Sequence, residues 1–434
     1  MAITGHFIDE SWTLRSIIMR FIYVPASHTA DVIGEELYES LVDWNLDEKI
    51  STVTLDNCTT NDEDGLEPLK NTIENIRESV AYWTATPKRI EKFEETAKFI
   101  KVHMKTKINL DCKTRWNSTF NMLNIALSYK VVFIRASRVD KQYTCLPSEE
   151  EWNFAAEVVE RLHMFNDITE LFSGTQYVTA NIYFMKIYEI RVKIRQWSTC
   201  GNPLLQAMSA NMIAKFDKCW SDIQGLMGIA TVLDPRLKTL SLLMCFEWLL
   251  GMTGQVCEDK VALVMDLLRD LMIEYHVEVV EVEETTAAPS TSNLEFLSSF
   301  SVRVASTRPE SMMYKSELER YIEDGLVPLD TKGFNVLDWW KVAGSRYPTL
   351  RRIAKDIYAI PITTVASEAA FSTSGRVLSD HCSSLTPQMI EALMCSQDWF
   401  RNKYGVDDKD KNAASFWSCL QDMSPRYSRR SSGT

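Results

Sequence analysis

The chain has 434 residues, 45% hydrophobic and 24% charged, with a formal net charge of −12. That length exceeds one simple core and points to roughly two or three domains, and the acidic balance excludes a basic surface spread over the whole molecule while leaving room for a local one. None of the ten cysteines stands in a Cys-x-x-Cys or Cys-x-x-His pair, which leaves a structural zinc site without local support and makes reduced thiols of a cytosolic or nuclear protein the simplest reading.

The first twelve residues, MAITGHFIDESW, have neither a basic nor an apolar signal region, so no signal peptide is expected. AITGHFID reads as a strand, and LRSIIMRFIYVP, apolar on both faces, as a buried central strand. Thr29 offers an N-cap to a helix whose Ile33, Leu37, Leu41 and Trp44 recur at helical spacing. KISTVTLD reads as a third strand that delivers Asp56 at its C-terminal end, on one face with Ile50, Thr52 and Thr54. From Gly65 to about Tyr275 nearly everything is helical in pattern, with Thr86-Pro87 as a cap and first position. The longest apolar stretch, LSLLMCFEWLLGM, carries Glu247 and is too short to cross a bilayer, so no membrane partner is expected. VEVVEVEETTAAPSTSN reads as an acidic, Ser/Thr/Pro-rich linker, and the end of the chain, SPRYSRRSSGT, as a disordered tail.

Three stretches carry candidate chemistry. A metal-dependent nuclease gathers two or three carboxylates around its ions, and Asp56 in TLDNCTTND suits that role, although an Asp-Asn pair also starts turns. In DCKTRWNSTFNML, Arg115 and Trp116 suit a phosphate contact and a platform for an unstacked base. The same stretch suits a helix start capped by Asn117 or Ser118, with Trp116 in the core. In the third stretch, Asp338 to Phe400, Ser367 is placed to cap a helix bearing Glu368 in its first turn, where a carboxylate favours the helix dipole whatever else it does. A local basic face could draw on Arg115, Lys341, Arg346, Arg351, Arg352 and Lys355, with Arg351 and Arg352 equally suited to the solvated side of a helix.

Taken in order, ITGHFIDESWTLRSIIMRF, TVTLDNCTTND, DCKTRWNSTFNML, ATVLDPRLK and DWWKVAGSRYPTLRRIAKDIYAIPITTVASEAAFSTSGRVLS resemble the plant hAT transposases of the zinc-finger BED-domain RICESLEEPER and DAYSLEEPER type. The resemblance implies a fold of α/β plus all-α character: an RNase H-like core interrupted by a large helical insertion, then a mainly helical C-terminal dimerisation region. It divides the chain at 1–62 (RNase H-like core), 63–276 (helical insertion with the hAT RNase-H-like region), 277–314 (linker), 315–402 (dimerisation region) and 403–434 (tail). It makes Asp56 and Glu368 vestigial members of an Asp, Asp, Glu triad that would hold Mg²⁺ only in an active enzyme. It makes Trp116, next to the candidate phosphate contact Arg115, a nucleic-acid contact, and Trp339, Trp340, Tyr347, Phe371 and Leu393 candidates for the dimer surface.

The strand that carries the first Asp in the family, and the upstream BED finger, precede ITGHFID and are not in this sequence, so the expectation is an N-terminally truncated, domesticated relative. Two functions stay open on that basis. One is a catalytically inactive nuclear protein that pairs with itself or with related hAT proteins, keeps residual DNA binding and needs no cofactor. The other is an Mg²⁺-dependent transposase whose first Asp and zinc finger lie in exons outside the sequence.

Overall fold

Residues 1–24, 29–55, 70–112, 116–220, 224–250, 254–276, 316–377 and 385–404 are described by the structure, a computed structural model. They form two packing units: 1–7, 15–53 and 364–404 in the smaller, and 8–14 with the described residues between 54 and 363 in the larger. The first stretch of the dimerisation region packs with the helices before it, and the rest with the N-terminal strands.

The smaller unit starts with β1 (Ala2–Ile8) and β2 (Leu14–Phe21). Met1 N donates to Ile22 O and Ile22 N to Met1 O at one end, and Asp9 N to Thr13 O at the other, so the pair is antiparallel. Asp9 shapes the turn, its carboxylate accepting the N–H groups of Ser11 (2.9 Å) and Thr13 (3.0 Å). Helix α1 (Ala30–Asp43) follows, capped as expected by Thr29, whose hydroxyl accepts from Val32 N. Asn45, in the left-handed region at φ 52°, closes it, with Leu46 N donating to Leu41 O. Two further helices, α15 (Val365–Val377) and α16 (Pro387–Tyr404), complete this unit. Its small core joins Ile18 to Ala370, Met394 and Cys395.

β2 is not the buried central strand that its composition suggests. Its outward backbone is taken up by side chains of α16. Asp398 Oδ2 accepts from Ile18 N (2.8 Å), Trp399 Nε1 donates to Ile18 O (2.8 Å), and Asn402 Nδ2 donates to Ser16 O (3.1 Å). Both backbone groups of Ile18 are thereby satisfied, which leaves nothing there for another strand to pair with. Arg20 adds ion pairs to Glu391 (2.6 Å) and Asp43 (2.8 Å).

The third strand is not formed either. Residues 51–55 are irregular, with Val53 at 53% and Leu55 at 67% exposure. Alternation is only half of a strand; a ladder partner is the other half. Here the backbone finds none among the described residues, and Thr54 Oγ1 reaches Pro361 O at 3.3 Å.

The larger unit holds two cores. One is built by α2 (Lys70–Thr84), α3 (Pro87–Phe99), α4 (Trp116–Ser128), α5 (Lys130–Val139), α6 (Glu149–Phe172), α7 (Tyr183–Trp197) and α8 (Pro203–Trp220). Thr86 and Pro87 start α3 as expected, with Arg89 N donating to Thr86 Oγ1 at 3.3 Å. A chain of rings runs through the centre: Trp83 to Phe93 (5.4 Å), Phe93 to Phe133 (4.8 Å) and Phe133 to Trp152 (5.7 Å).

The second core joins α9 (Gln224–Val232), α10 (Lys238–Leu250), α11 (Gln255–Glu274), α12 (Glu317–Glu323), α13 (Val336–Ala343) and α14 (Pro348–Ala359). Tyr183, Ile187 and Phe216 of α7 and α8 pack against both cores. A helix ends with carbonyls that lack intrahelical partners, and α9 meets this need from three other helices. Tyr358 Oη donates to Ala230 O (3.4 Å), Tyr321 Oη to Val232 O (3.0 Å) and Trp340 Nε1 to Leu233 O (3.0 Å). Each bond stabilises by about 1 kcal/mol net, and the buried ring that carries it contributes more. The expected linker and nearly all of the expected tail lie outside the described residues.

Candidate functional site

The candidate catalytic pair divides between what is described and what is not. Asp56 lies outside the described residues. Glu368 is exposed in the first turn of α15. That helix starts three residues earlier than expected: Thr364, not Ser367, precedes its first residue, and Ser367 Oγ donates back to Thr364 O (2.7 Å). Glu368 N donates to Thr364 O (3.0 Å), and its Oε1 accepts the Thr364 hydroxyl (3.2 Å). Its partners are those of a capping residue. Among the described residues no three or more His, Cys, Asp or Glu side chains gather as a metal would need.

The candidate nucleic-acid contact sits at the start of α4. Arg115 and the side chain of Trp116 are outside the described residues, while the backbone of Trp116 opens the helix. Neither Asn117 nor Ser118 is the residue before the helix. Ser118 Oγ instead accepts the N–H of Cys112 (2.7 Å). The anchor is Asp111, whose fully buried carboxylate accepts Nε (2.8 Å) and Nη2 (2.7 Å) of Arg77 and the hydroxyl of Thr119 (2.6 Å). Burial works to raise the Asp111 carboxyl, but the Arg77 and Thr119 donors with the Arg77 charge outweigh it and hold it below its usual value. Arg77 is 34 residues away, and the pairing left no local signal.

The five dimer candidates fare differently. Trp340 and Tyr347 are 0% and 1% exposed and belong to the chain's own core, so neither has surface to offer a partner. Burial, followed by its bond to the Asp324 carboxylate, pushes the Tyr347 hydroxyl up to about 12. Trp339 is half-buried, stacked on Tyr347 at 6.3 Å. Phe371 is 49% exposed and Leu393 half-buried. Met389 and Phe400 of α16, 54% and 43% exposed, extend the apolar surface of this unit.

The expected basic face of the C-terminal region is spent on internal partners. Lys341 Nζ donates to Ser11 O (3.1 Å), Arg346 pairs with Asp324 (2.9 Å), Lys355 pairs with Glu10 (2.7 Å), and Arg351 lies over the Trp12 ring at 5.0 Å.

A second buried anchor escaped the sequence reading. Asp234 of the LDPR turn is 0% exposed and accepts from Arg236 N (3.0 Å), Arg236 Nη2 (2.7 Å) and Asn181 Nδ2 (2.8 Å). The Asp-Pro-Arg order, with an aspartate bonding the N–H two residues on, was its available signal. Next to it, buried Lys238 donates to the carbonyls of Tyr321 and Asp324 at the end of α12. Burial holds its ammonium below the usual value.

Sequence comparison agrees with this arrangement of a short strand pair, a helical body and a helical C-terminal region. Four families match in order: the ZBED1 RNase-like domain (1–80), the ZBED1 RNase-like helical domain (50–161), the hAT-like transposase RNase-H fold (181–275) and the hAT family C-terminal dimerisation region (317–400). Two of these matches, to the RNase-H fold and to the dimerisation region, are to hAT domains. The chain is similar to the zinc finger BED domain-containing proteins RICESLEEPER 2 of Oryza sativa subsp. japonica (28% identical over 92% of this chain and 63% of that protein) and DAYSLEEPER of Arabidopsis thaliana (25%, 92% and 61%). It therefore spans a little under two thirds of the length of these relatives.

Proposed function

We propose that this chain is a transposase-derived nuclear protein that acts by self-association, or by pairing with related hAT proteins, rather than by cutting DNA. The match of residues 317–400 to the hAT dimerisation region carries this reading. Because Trp340 and Tyr347 are consumed internally, the pairing surface is assigned to the second part of that region: Phe371, Leu393, Met389 and Phe400. Residual DNA contact is assigned to Arg115 and Trp116. No cofactor is required.

Light scattering on the purified chain tests the self-association. The expected mass is twice 49.8 kDa at micromolar concentration, and Phe371→Glu with Met389→Glu should shift it to the monomer by placing charge in an apolar contact. A wild-type monomer refutes the self-association.

The second reading, an Mg²⁺-dependent DNA transposase, draws on the match of residues 181–275 to the hAT-like transposase RNase-H fold. Nicking of supercoiled plasmid with Mg²⁺ separates the two. We expect no activity above background and no difference between wild type, Asp56→Ala and Glu368→Gln. Nicking that disappears in Asp56→Ala establishes the enzyme instead, since removing one ligand of a metal site costs orders of magnitude in rate.

A further inference from the structure

A positive surface of this acidic chain lies on α3, the segment after it, and α5, in the larger unit. Residues 87–107 hold seven Lys or Arg against three Glu, and residues 130–141 hold four against one Asp, in a chain of net charge −12. The segment after α3 is tied to the start of α5, because Thr106 N donates to Tyr129 Oη (3.2 Å) and Tyr129 Oη to Thr106 O (3.0 Å). Two of the acids are already answered, Glu94 by Lys107 (4.0 Å) and Asp140 by Lys92 (2.9 Å). Lys98, Lys101, Lys105 and Arg138 are exposed and make no ion pair or side-chain hydrogen bond with the described residues.

Among these cations stands Phe99, 74% exposed, with the Arg135 guanidinium over its ring at 5.3 Å. An aromatic of that exposure has no folding role at its open face. Lys101 adds a second irregularity. It ends α3 in the left-handed region at φ 60°, with Val102 N donating to Ala97 O, in the position where helices favour glycine. A lysine is kept there at a conformational cost.

We infer that this face binds single-stranded nucleic acid, with Lys98, Lys101, Lys105 and Arg138 on phosphates and Phe99, backed by Arg135, stacked on a base. Charge complementarity selects a polyanion. The exposed ring selects a single strand over a duplex, because only unpaired bases offer a face to stack on. The surface is carried by elements other than those of the self-association reading and does not depend on it.

Fluorescence anisotropy of the full chain with labelled oligo-dT across a salt series is the test, with oligo-U, a duplex of equal length and polyglutamate as further arms. Phe99→Ala should weaken oligo-dT binding by roughly tenfold. Lys98→Gln, Lys101→Gly and Lys105→Gln combined should make the slope of log affinity against log salt shallower by about two. Lys101→Gly alone is the control for folding: glycine relaxes the left-handed backbone, so the melting temperature should hold or rise while affinity falls. Oligo-dT and oligo-U results distinguish DNA from RNA as the natural strand. The proposal is overturned if the triple variant binds with unchanged slope, if the duplex binds as tightly as oligo-dT with no effect of Phe99→Ala, or if polyglutamate competes as well as the oligonucleotide. Light scattering on the same variants reports self-association separately.

Discussion

An Asp234→Ala variant is expected to lose about 3–5 kcal/mol of stability, the usual cost of stripping a buried ion pair of one partner. The carboxylate is fully buried, and the Arg236 side chain is only 19% exposed. Removing the acid leaves the Arg236 guanidinium and the Asn181 amide without their acceptor, and Asn181 Oδ1 already lacks a hydrogen-bond partner among the described residues. The damage spreads because Asp234 ends the segment whose carbonyls hold Tyr358, Tyr321 and Trp340, so α9 loses its registration with α12, α13 and α14. A typical domain has about 5–15 kcal/mol in total, and a loss of this size places the larger unit near its folding midpoint at ambient temperature. Urea unfolding followed by tryptophan fluorescence measures it, with exposed Asp330→Ala as a control expected to stay within about 0.5 kcal/mol of wild type. A midpoint unchanged in Asp234→Ala would show that the network only decorates the turn.

The features legible in the sequence are those whose cause is local. Thr29 and Thr86 with Pro87 announce helix starts because a cap is made within three residues, and both hold. The helical character of residues 70–275 follows from periodicity in the same way. The failures need partners distant in sequence. Residues 50–55 alternate as a strand does, but no ladder receives them among the described residues. Leu14–Phe21 is apolar enough for a sheet centre, yet α16, over 370 residues later, supplies the bonds along its edge. Trp340 and Tyr347 show a further limit: a large apolar side chain records that it must be covered, not whether its own chain or another copy covers it. For the candidate site, Asp56 and Arg115 stood out by residue type and position, each with a bland alternative beside it. Asp111, which fixes the ground around α4, could be recognised only once Arg77 was placed beside it.

That pairing carries the second large effect, a sensitivity to acid. Asp111 is fully buried and Arg77 12% exposed, and the carboxyl is held below its ordinary value in the folded chain. A carboxyl depressed on folding contributes stability that is fully present above its unfolded value of about 3.9 and is lost as pH falls through the folded value below that. Asp111→Asn removes the titration and the charge together. Its stability should therefore be lower by about 3–5 kcal/mol at neutral pH, because Arg77 keeps a buried charge with only Glu74 beside it. Its decline below pH about 4 should be shallower than wild type by up to one proton, roughly 1.4 kcal/mol per pH unit. Other depressed carboxyls, such as Asp140 and Glu151, titrate in both proteins. The readout is thus the difference between two series of urea midpoints, and parallel series would sink the assignment. Arg77→Lys sharpens the test: it keeps the cation but cannot present two parallel N–H groups to one carboxylate. It should fall between wild type and Asp111→Asn in neutral stability while retaining the acid-dependent slope. That combination separates the charge at Asp111, which titrates, from the fork geometry at Arg77, which does not.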